Sequence, residues 1–175
     1  WMTAGKGILH QEMPKASPRM LGLQLWVNLP KKDKMVPPKY RDITPDSMPV
    51  VREPGVEVRV LSGEYRETAG AMRADYVNVT FLEIMLDPGA SWSLATKRDD
   101  TLFIYVLEGD CNDESGAPVN KRQAVLFTPG DSITLKGGHE RARLVVVAGK
   151  PLGEPVAWGG PIVMNTDEEL KEAFM

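Results

Sequence analysis

The stretch QAVLFTPGDSITLKGG, residues 123–138, holds two short apolar runs on either side of the turn Pro129-Gly130-Asp131. Proline and glycine favour a tight turn, and the β-branched and aromatic residues beside it favour strands. The same arrangement, an apolar run that ends at a glycine-containing turn, recurs in VEVRVLSG (56–63), ADYVNVTFLEIMLDPGA (74–90), TLFIYVLEGDC (101–111) and RARLVVVAGKP (141–151). Turns about 8–12 residues apart predict an antiparallel β-sandwich or β-barrel between residues 55 and 155.

Composition and charge narrow the class of protein. The 175 residues suffice for one domain, or for one domain and part of another. The net charge is −3, and the most basic stretch, KKDKMVPPKYR (31–41), mixes lysine with proline. Since a nucleic-acid surface needs denser basic charge, we interpret this stretch as a solvated connector and expect no direct binding to DNA or RNA. The absence of a run of about eighteen apolar residues predicts no membrane-spanning segment.

The amino-terminal part predicts two further strands and a domain boundary. GKGILHQEMP (5–14) is typical of a short strand over residues 7–12, and LGLQLWVNLP (21–30) alternates leucine or valine with other residues. Prolines then recur without periodicity through residues 30–54, which favours a linker. Because Trp1 is not an initiator residue, we expect a segment to precede it.

The carboxyl-terminal stretch TDEELKEAF (166–174) predicts the chain's one helix, capped by Asn165 or Thr166. Cys111 is the only cysteine, so an internal disulfide is excluded. Its polar neighbours Asp110, Asn112 and Asp113 favour a free surface thiol.

The pair His10 and Glu12 is the first candidate site. Residues two apart on a strand project to the same face, and an imidazole with a carboxylate suits iron, manganese or zinc. The same pair is also compatible with an ordinary exposed polar edge. The only other histidine, His139, lies in the glycine-rich turn KGGHERAR and is more typical of an exposed turn residue.

WMTAGKGILHQEMP (1–14), GLQLWVNLP (22–30) and PIVMNTDEEL (161–170) together resemble the pirin family. Pirins are bicupins, with two β-barrel cupin domains packed face to face. The resemblance implies an all-β cupin fold, the double-stranded β-helix or jelly-roll barrel. It divides the chain into the end of an amino-terminal metal-binding cupin (1–30), a proline-rich linker (31–54), a nearly complete carboxyl-terminal cupin (55–155) and an extension with a short helix (156–175).

The resemblance also implies a ligand set. Pirins hold one iron in the first cupin through a His-x-His pair and a later His and Glu. His10 and Glu12 match the third and fourth ligands of Fe(II), whereas this chain contains no His-x-His pair. The second cupin of the family is structural, so we expect no metal at His139.

Two activities follow from the resemblance. Some pirins resemble quercetin 2,3-dioxygenases, which implies an iron-dependent oxidoreductase with a flavonol substrate and with Glu12 also accepting a substrate proton. Other pirins are similar to nuclear co-regulators, which implies an iron-dependent, redox-sensitive protein that binds transcription factors. Either activity implies a cytoplasmic or nuclear location. A third hypothesis is a partial pirin in which the leucine stripe of residues 21–29 is unburied and promotes association.

Overall fold

The structure is a computed structural model that describes all residues, 1–175. The chain forms two compact units: Ile43–Pro151 is one, and Trp1–Asp42 with Leu152–Met175 is the other. No helix in the structure is long and apolar enough to cross a membrane.

The regular elements are short strands and one α-helix. In chain order they are β1 (Met2–Thr3), β2 (Lys39–Tyr40), β3 (Val50–Glu53), β4 (Val56–Ser62), β5 (Glu64–Tyr65), β6 (Thr68–Ala69), β7 (Val79–Leu86), β8 (Ser91–Ala95), β9 (Thr101–Glu108), β10 (Asp110–Asn112), β11 (Pro118–Asn120), β12 (Ala124–Leu126), β13 (Ser132–Gly137), β14 (Ala142–Gly149), β15 (Ala157–Gly159), β16 (Ile162–Met164) and α1 (Asp167–Ala173). Two 3-10 helices span Lys31–Asp33 and Pro45–Ser47.

The unit Ile43–Pro151 is built from two antiparallel sheets. A six-stranded sheet has the order β12-β9-β14-β7-β4-β3, and a four-stranded sheet has the order β11-β10-β13-β8. A separate ribbon pairs β5 with β6. The all-β architecture predicted from the recurring strand and turn pattern is confirmed, and all five quoted stretches contain strands.

The hydrophobic core of this unit combines side chains from both sheets. Alternation along β4 buries Val56, Val58 and Val60, and Trp92 of β8 joins the same cluster from the other sheet. Trp92 also stacks on Tyr65, with ring centroids 6.2 Å apart. A period of two in the sequence thus gives each sheet one apolar face, and the two faces enclose the core.

Residues 50–53 form β3, a strand that the proline-rich composition of 31–54 did not predict. Val50–Glu53 pairs with β4 across the tight turn Pro54-Gly55. Gly55 has φ +71°, and a Cβ at this position would lie 2.7 Å from the Cβ of Ala90. The turn therefore requires glycine, and Pro-Gly between two valine-rich runs is the sequence pattern that indicates a hairpin here.

The unit Trp1–Asp42 with Leu152–Met175 contains two small ribbons and the helix. β1 pairs with β2, and β15 pairs with β16. Thr166 begins α1 with a capping box, in which its hydroxyl accepts from the N–H of Glu169 and the Glu169 side chain accepts from the N–H of Thr166. The predicted helix is confirmed, and Thr166 rather than Asn165 is its cap.

The two strands predicted in the amino-terminal part are not formed. Residues 7–12 and 21–30 have no regular secondary structure, although the alternation in 21–30 is that of a strand. A strand needs a partner for its backbone N–H and C=O groups, and neither stretch pairs with another strand in the structure. Leu21 and Leu23 are 46% and 49% exposed, so the leucine stripe is incompletely covered.

Cys111 is buried in the core, and the prediction of a surface thiol is wrong. It is 0% exposed on β10, where it pairs with Val119 and Gly137 of the neighbouring strands. Burial raises the pKa of the thiol to about 11, and the nearby carboxylates of Asp110 and Asp113 add to this effect. The polar neighbours in sequence point outward while the cysteine alternates inward.

We expect Cys111 to react with a thiol-specific disulfide reagent at neutral pH far more slowly in the folded protein than in urea. The folded protein shields the sulfur and disfavours the thiolate, which is the reactive form. The measurement is the rate of thionitrobenzoate release with and without denaturant. Equal rates in both conditions would show that the thiol is accessible.

Candidate functional site

His10 and Glu12 lie in a stretch of unit Trp1–Asp42 with Leu152–Met175 that has no regular secondary structure. Both side chains are exposed, and so is Gln11 between them. Neighbouring Leu9 is 102% exposed, which shows how little of the chain packs around this pair. The structure thus places the predicted pair on an open surface.

A tight turn at Gly5 anchors the chain immediately before this stretch. The N–H of Lys6 donates to the carbonyl of Val36 at 3.0 Å. Gly5 has φ +53°, and a Cβ there would collide with the Val36 carbonyl oxygen. Only glycine fits this close approach, which fixes the point from which the stretch toward His10 departs.

Lys34 forms hydrogen bonds to two separate segments of the same unit. Its ammonium donates to Asn28 Oδ1 at 2.5 Å and to the carbonyl oxygen of Val163 at 3.0 Å. Burial lowers the pKa of Lys34, and the carboxylates of Glu154 and Glu169 oppose that shift. The interpretation of residues 31–41 as a solvated connector is therefore wrong at Lys34, which is buried and joins residue 28 to the carboxyl-terminal ribbon. Nothing in the run of lysines distinguishes Lys34 from its exposed neighbours.

His139 lies in the other unit, in the turn between β13 and β14. Its ring is 99% exposed, with Nδ1 3.4 Å from Asp110 Oδ2. The Asp110 carboxylate accepts the backbone N–H groups of Glu140 at 2.9 Å and of His139 at 2.9 Å. These hydrogen bonds, that of Glu140 first, lower the pKa of Asp110. The Asp110 carboxylate therefore stabilises the turn between β13 and β14 through these hydrogen bonds.

Residues 1–175 do not by themselves supply a complete metal shell. No three or more His, Cys, Asp or Glu side chains come together in a way that could hold a metal ion. His10 and Glu12 are chemically suitable donors, but a mononuclear protein site ordinarily has at least three protein ligands. The pair alone therefore does not fit a tightly bound metal.

Known proteins are similar to this chain along its whole length. A sequence model of the pirin C-terminal cupin domain matches residues 81–175. Human pirin is 39% identical over 181 residues, which cover 100% of this chain and 61% of the human protein. A pirin-like protein of Caulobacter vibrioides is 39% identical over 177 residues, which cover 99% of this chain and 63% of that protein. The chain thus spans somewhat less than two thirds of the length of these relatives.

A solved structure with the same fold is similar to most of the chain. The crystal structure of a quercetin 2,3-dioxygenase from Acinetobacter baumannii superimposes with a TM-score of 0.79 and 32% sequence identity. The superposition covers 85% of this chain and 52% of that one. The match extends the comparison from sequence to three-dimensional structure.

Proposed function

Because this chain belongs to the pirin family, we propose that it contributes to a metal-dependent oxidoreductase of the quercetin 2,3-dioxygenase type. The double-sheet barrel and the matched carboxyl-terminal domain confirm the predicted cupin fold. The observation that carries the proposal is the similarity to the Acinetobacter baumannii quercetin 2,3-dioxygenase, at 32% identity and a TM-score of 0.79. The proposed substrate is a flavonol such as quercetin.

In this proposal His10 and Glu12 are two of the ligands of one Fe(II). Their exposure leaves both side chains accessible to further ligands. Two imidazoles from outside residues 1–175 complete the shell, since the chain's only other histidine is His139. Iron would supply a site for dioxygen chemistry, and the Glu12 carboxylate would accept the proton of a flavonol hydroxyl.

The proposal is tested with the complete gene product, purified and loaded anaerobically with Fe(II). Dioxygen uptake is recorded with an electrode after quercetin is added, and the metal-free protein is measured in parallel. We expect uptake that depends on both quercetin and metal. Equal rates with and without metal would overturn the proposal.

The alternative is a redox-sensitive co-regulator in the cytoplasm or nucleus that acts through protein contacts. An exposed aromatic pair favours it: Trp26 and Trp158 are 52% and 69% exposed, with ring centroids 6.3 Å apart. Met35 and Tyr40 are also exposed, at 66% and 62%. Tryptophan and tyrosine are enriched among residues that dominate protein interfaces. Capture of a transcription factor in only one oxidation state of the iron, without quercetin turnover, would favour this alternative.

A further inference from the structure

A groove of about 580 Å³ opens at one end of the β-barrel in unit Ile43–Pro151. It lies where β4 ends, β7 begins, β8 ends and β14 ends, so separate strands converge on it. Ligand sites commonly occupy the mouths of β-barrels, and their volumes are about 300–1,000 Å³. The groove has the size and the position of a small-molecule site, and it contains neither His10 nor Glu12.

The floor of the groove is apolar apart from one hydroxyl. Met72, Val79 and Ala148 are 3%, 6% and 5% exposed and line it. Ser62 also lines it and is 1% exposed. Ser62 is the one polar side chain among these buried floor residues.

Four charged residues line the groove, Glu64, Arg73, Lys97 and Asp100, and the last two lie on one loop. Lys97 is exposed, and its ammonium makes no salt bridge. Asp100 is half-buried, and its carboxylate likewise has neither an ion pair nor a hydrogen bond. Both residues belong to the loop that follows β8, and the N–H of Asp100 donates to the carbonyl of Lys97 at 2.9 Å. A half-buried carboxylate without a donor favours a cationic ligand group, and the ammonium favours an anionic one.

We propose that this groove binds a free amino acid with an apolar side chain. The ligand's carboxylate pairs with Lys97, its ammonium pairs with Asp100, and its side chain covers Met72, Val79 and Ala148. The opposite charges on one short loop match a zwitterion, and the buried floor matches its apolar part. This site is independent of the proposed oxidoreductase activity, because none of its residues is a proposed metal ligand.

The test is an NMR titration of the ¹⁵N-labelled 175-residue chain with three probes that share a phenyl ring. L-Phenylalanine carries both charges, 3-phenylpropanoate only the carboxylate, and 2-phenylethylamine only the ammonium. We expect L-phenylalanine to shift the amide signals of Ser62, Val79 and Ala148. Each single-charge probe should bind roughly tenfold more weakly, because it lacks one charge-assisted contact.

Variants assign the two charges. Lys97→Met should weaken the binding of L-phenylalanine and 3-phenylpropanoate by roughly tenfold and leave that of 2-phenylethylamine unchanged. Asp100→Asn should weaken the binding of L-phenylalanine and 2-phenylethylamine by roughly tenfold and leave that of 3-phenylpropanoate unchanged. Lys121→Met removes an exposed lysine outside the groove and should change nothing. The amide spectrum of each variant reports its folding directly. The proposal is overturned if no probe shifts the groove signals, or if all three bind equally and neither groove variant discriminates among them.

Discussion

Exchange of His10 for Ala is expected to lower quercetin-dependent dioxygen uptake by the Fe(II)-loaded gene product by at least about 100-fold. Loss of a residue that only supports a metal ligand typically costs about 10–100-fold in metal affinity or activity, and loss of a ligand costs more. His10 is exposed and makes no hydrogen bond within the chain, so its removal should leave the fold intact. The rate is measured at saturating quercetin and matched metal concentration.

The chain supplies a matched control in its other histidine. His139 is also exposed but lies in a turn of the other unit. His139→Ala should keep the uptake rate within about twofold of the unaltered protein. An equal loss in both variants, or no loss in His10→Ala, would contradict the assignment of His10 as a ligand.

Exchange of Glu83 for Gln is expected to destabilise the unit Ile43–Pro151 by about 2 kcal/mol. The Glu83 side chain is 11% exposed on β7 and accepts from Arg143 on β14, with Oε1 2.6 Å from Nε. Its other oxygen lies 3.4 Å from Nη1 of Arg59 on β4. Glutamine keeps the shape but leaves the Arg143 guanidinium without its carboxylate, whereas Arg59 keeps an ion pair with Glu57 at 3.6 Å. Because both arginine side chains are more than one third exposed, water compensates part of the loss.

The measurement is urea unfolding followed by tryptophan fluorescence. Asp131→Asn is the control, since its ion pair with Arg98 is exposed on both sides, at 76% and 68%. Such surface pairs contribute about 0–1 kcal/mol, so this variant should change stability little. Equal destabilisation by the two exchanges would show that burial of Glu83 adds nothing.

The sequence predicted the barrel because its strands satisfy their hydrogen bonds and bury their alternating side chains within one unit. Val56, Val58 and Val60 follow the period of two, and all three are buried. The strand Val50–Glu53 was missed because prolines surround it, although its Pro-Gly turn could have indicated the hairpin. Local sequence patterns were therefore sufficient to predict strands whose partner strands belong to the same unit.

The prediction failed where structure depends on partners that a local pattern does not reveal. Residues 21–30 alternate like a strand, yet no strand pairs with them and they remain irregular. Lys34 is buried because Asn28 Oδ1 and the Val163 carbonyl oxygen accept hydrogen bonds from its ammonium. Those partners are not adjacent to Lys34 in the sequence. Cys111 is buried because of its position in a sheet. Composition around Lys34 and Cys111 indicated exposure, and both residues are buried.

The candidate site could be predicted only in part. The spacing of His10 and Glu12 identifies two suitable donors, and the family resemblance gives them a role. Spacing alone does not show the remaining ligands, and the structure brings no third donor to the pair. The groove beside Lys97 and Asp100 has no sequence pattern at all, because its lining comes from separate strands.

Metal analysis measures directly whether His10 and Glu12 bind the iron of the complete gene product. The protein and its His10→Ala/Glu12→Gln variant are equilibrated with Fe(II), freed of unbound metal by gel filtration, and measured by plasma mass spectrometry. We expect close to one iron per molecule in the unaltered protein and little in the variant. Equal iron in the two proteins, or quercetin turnover by an iron-free protein, would contradict it.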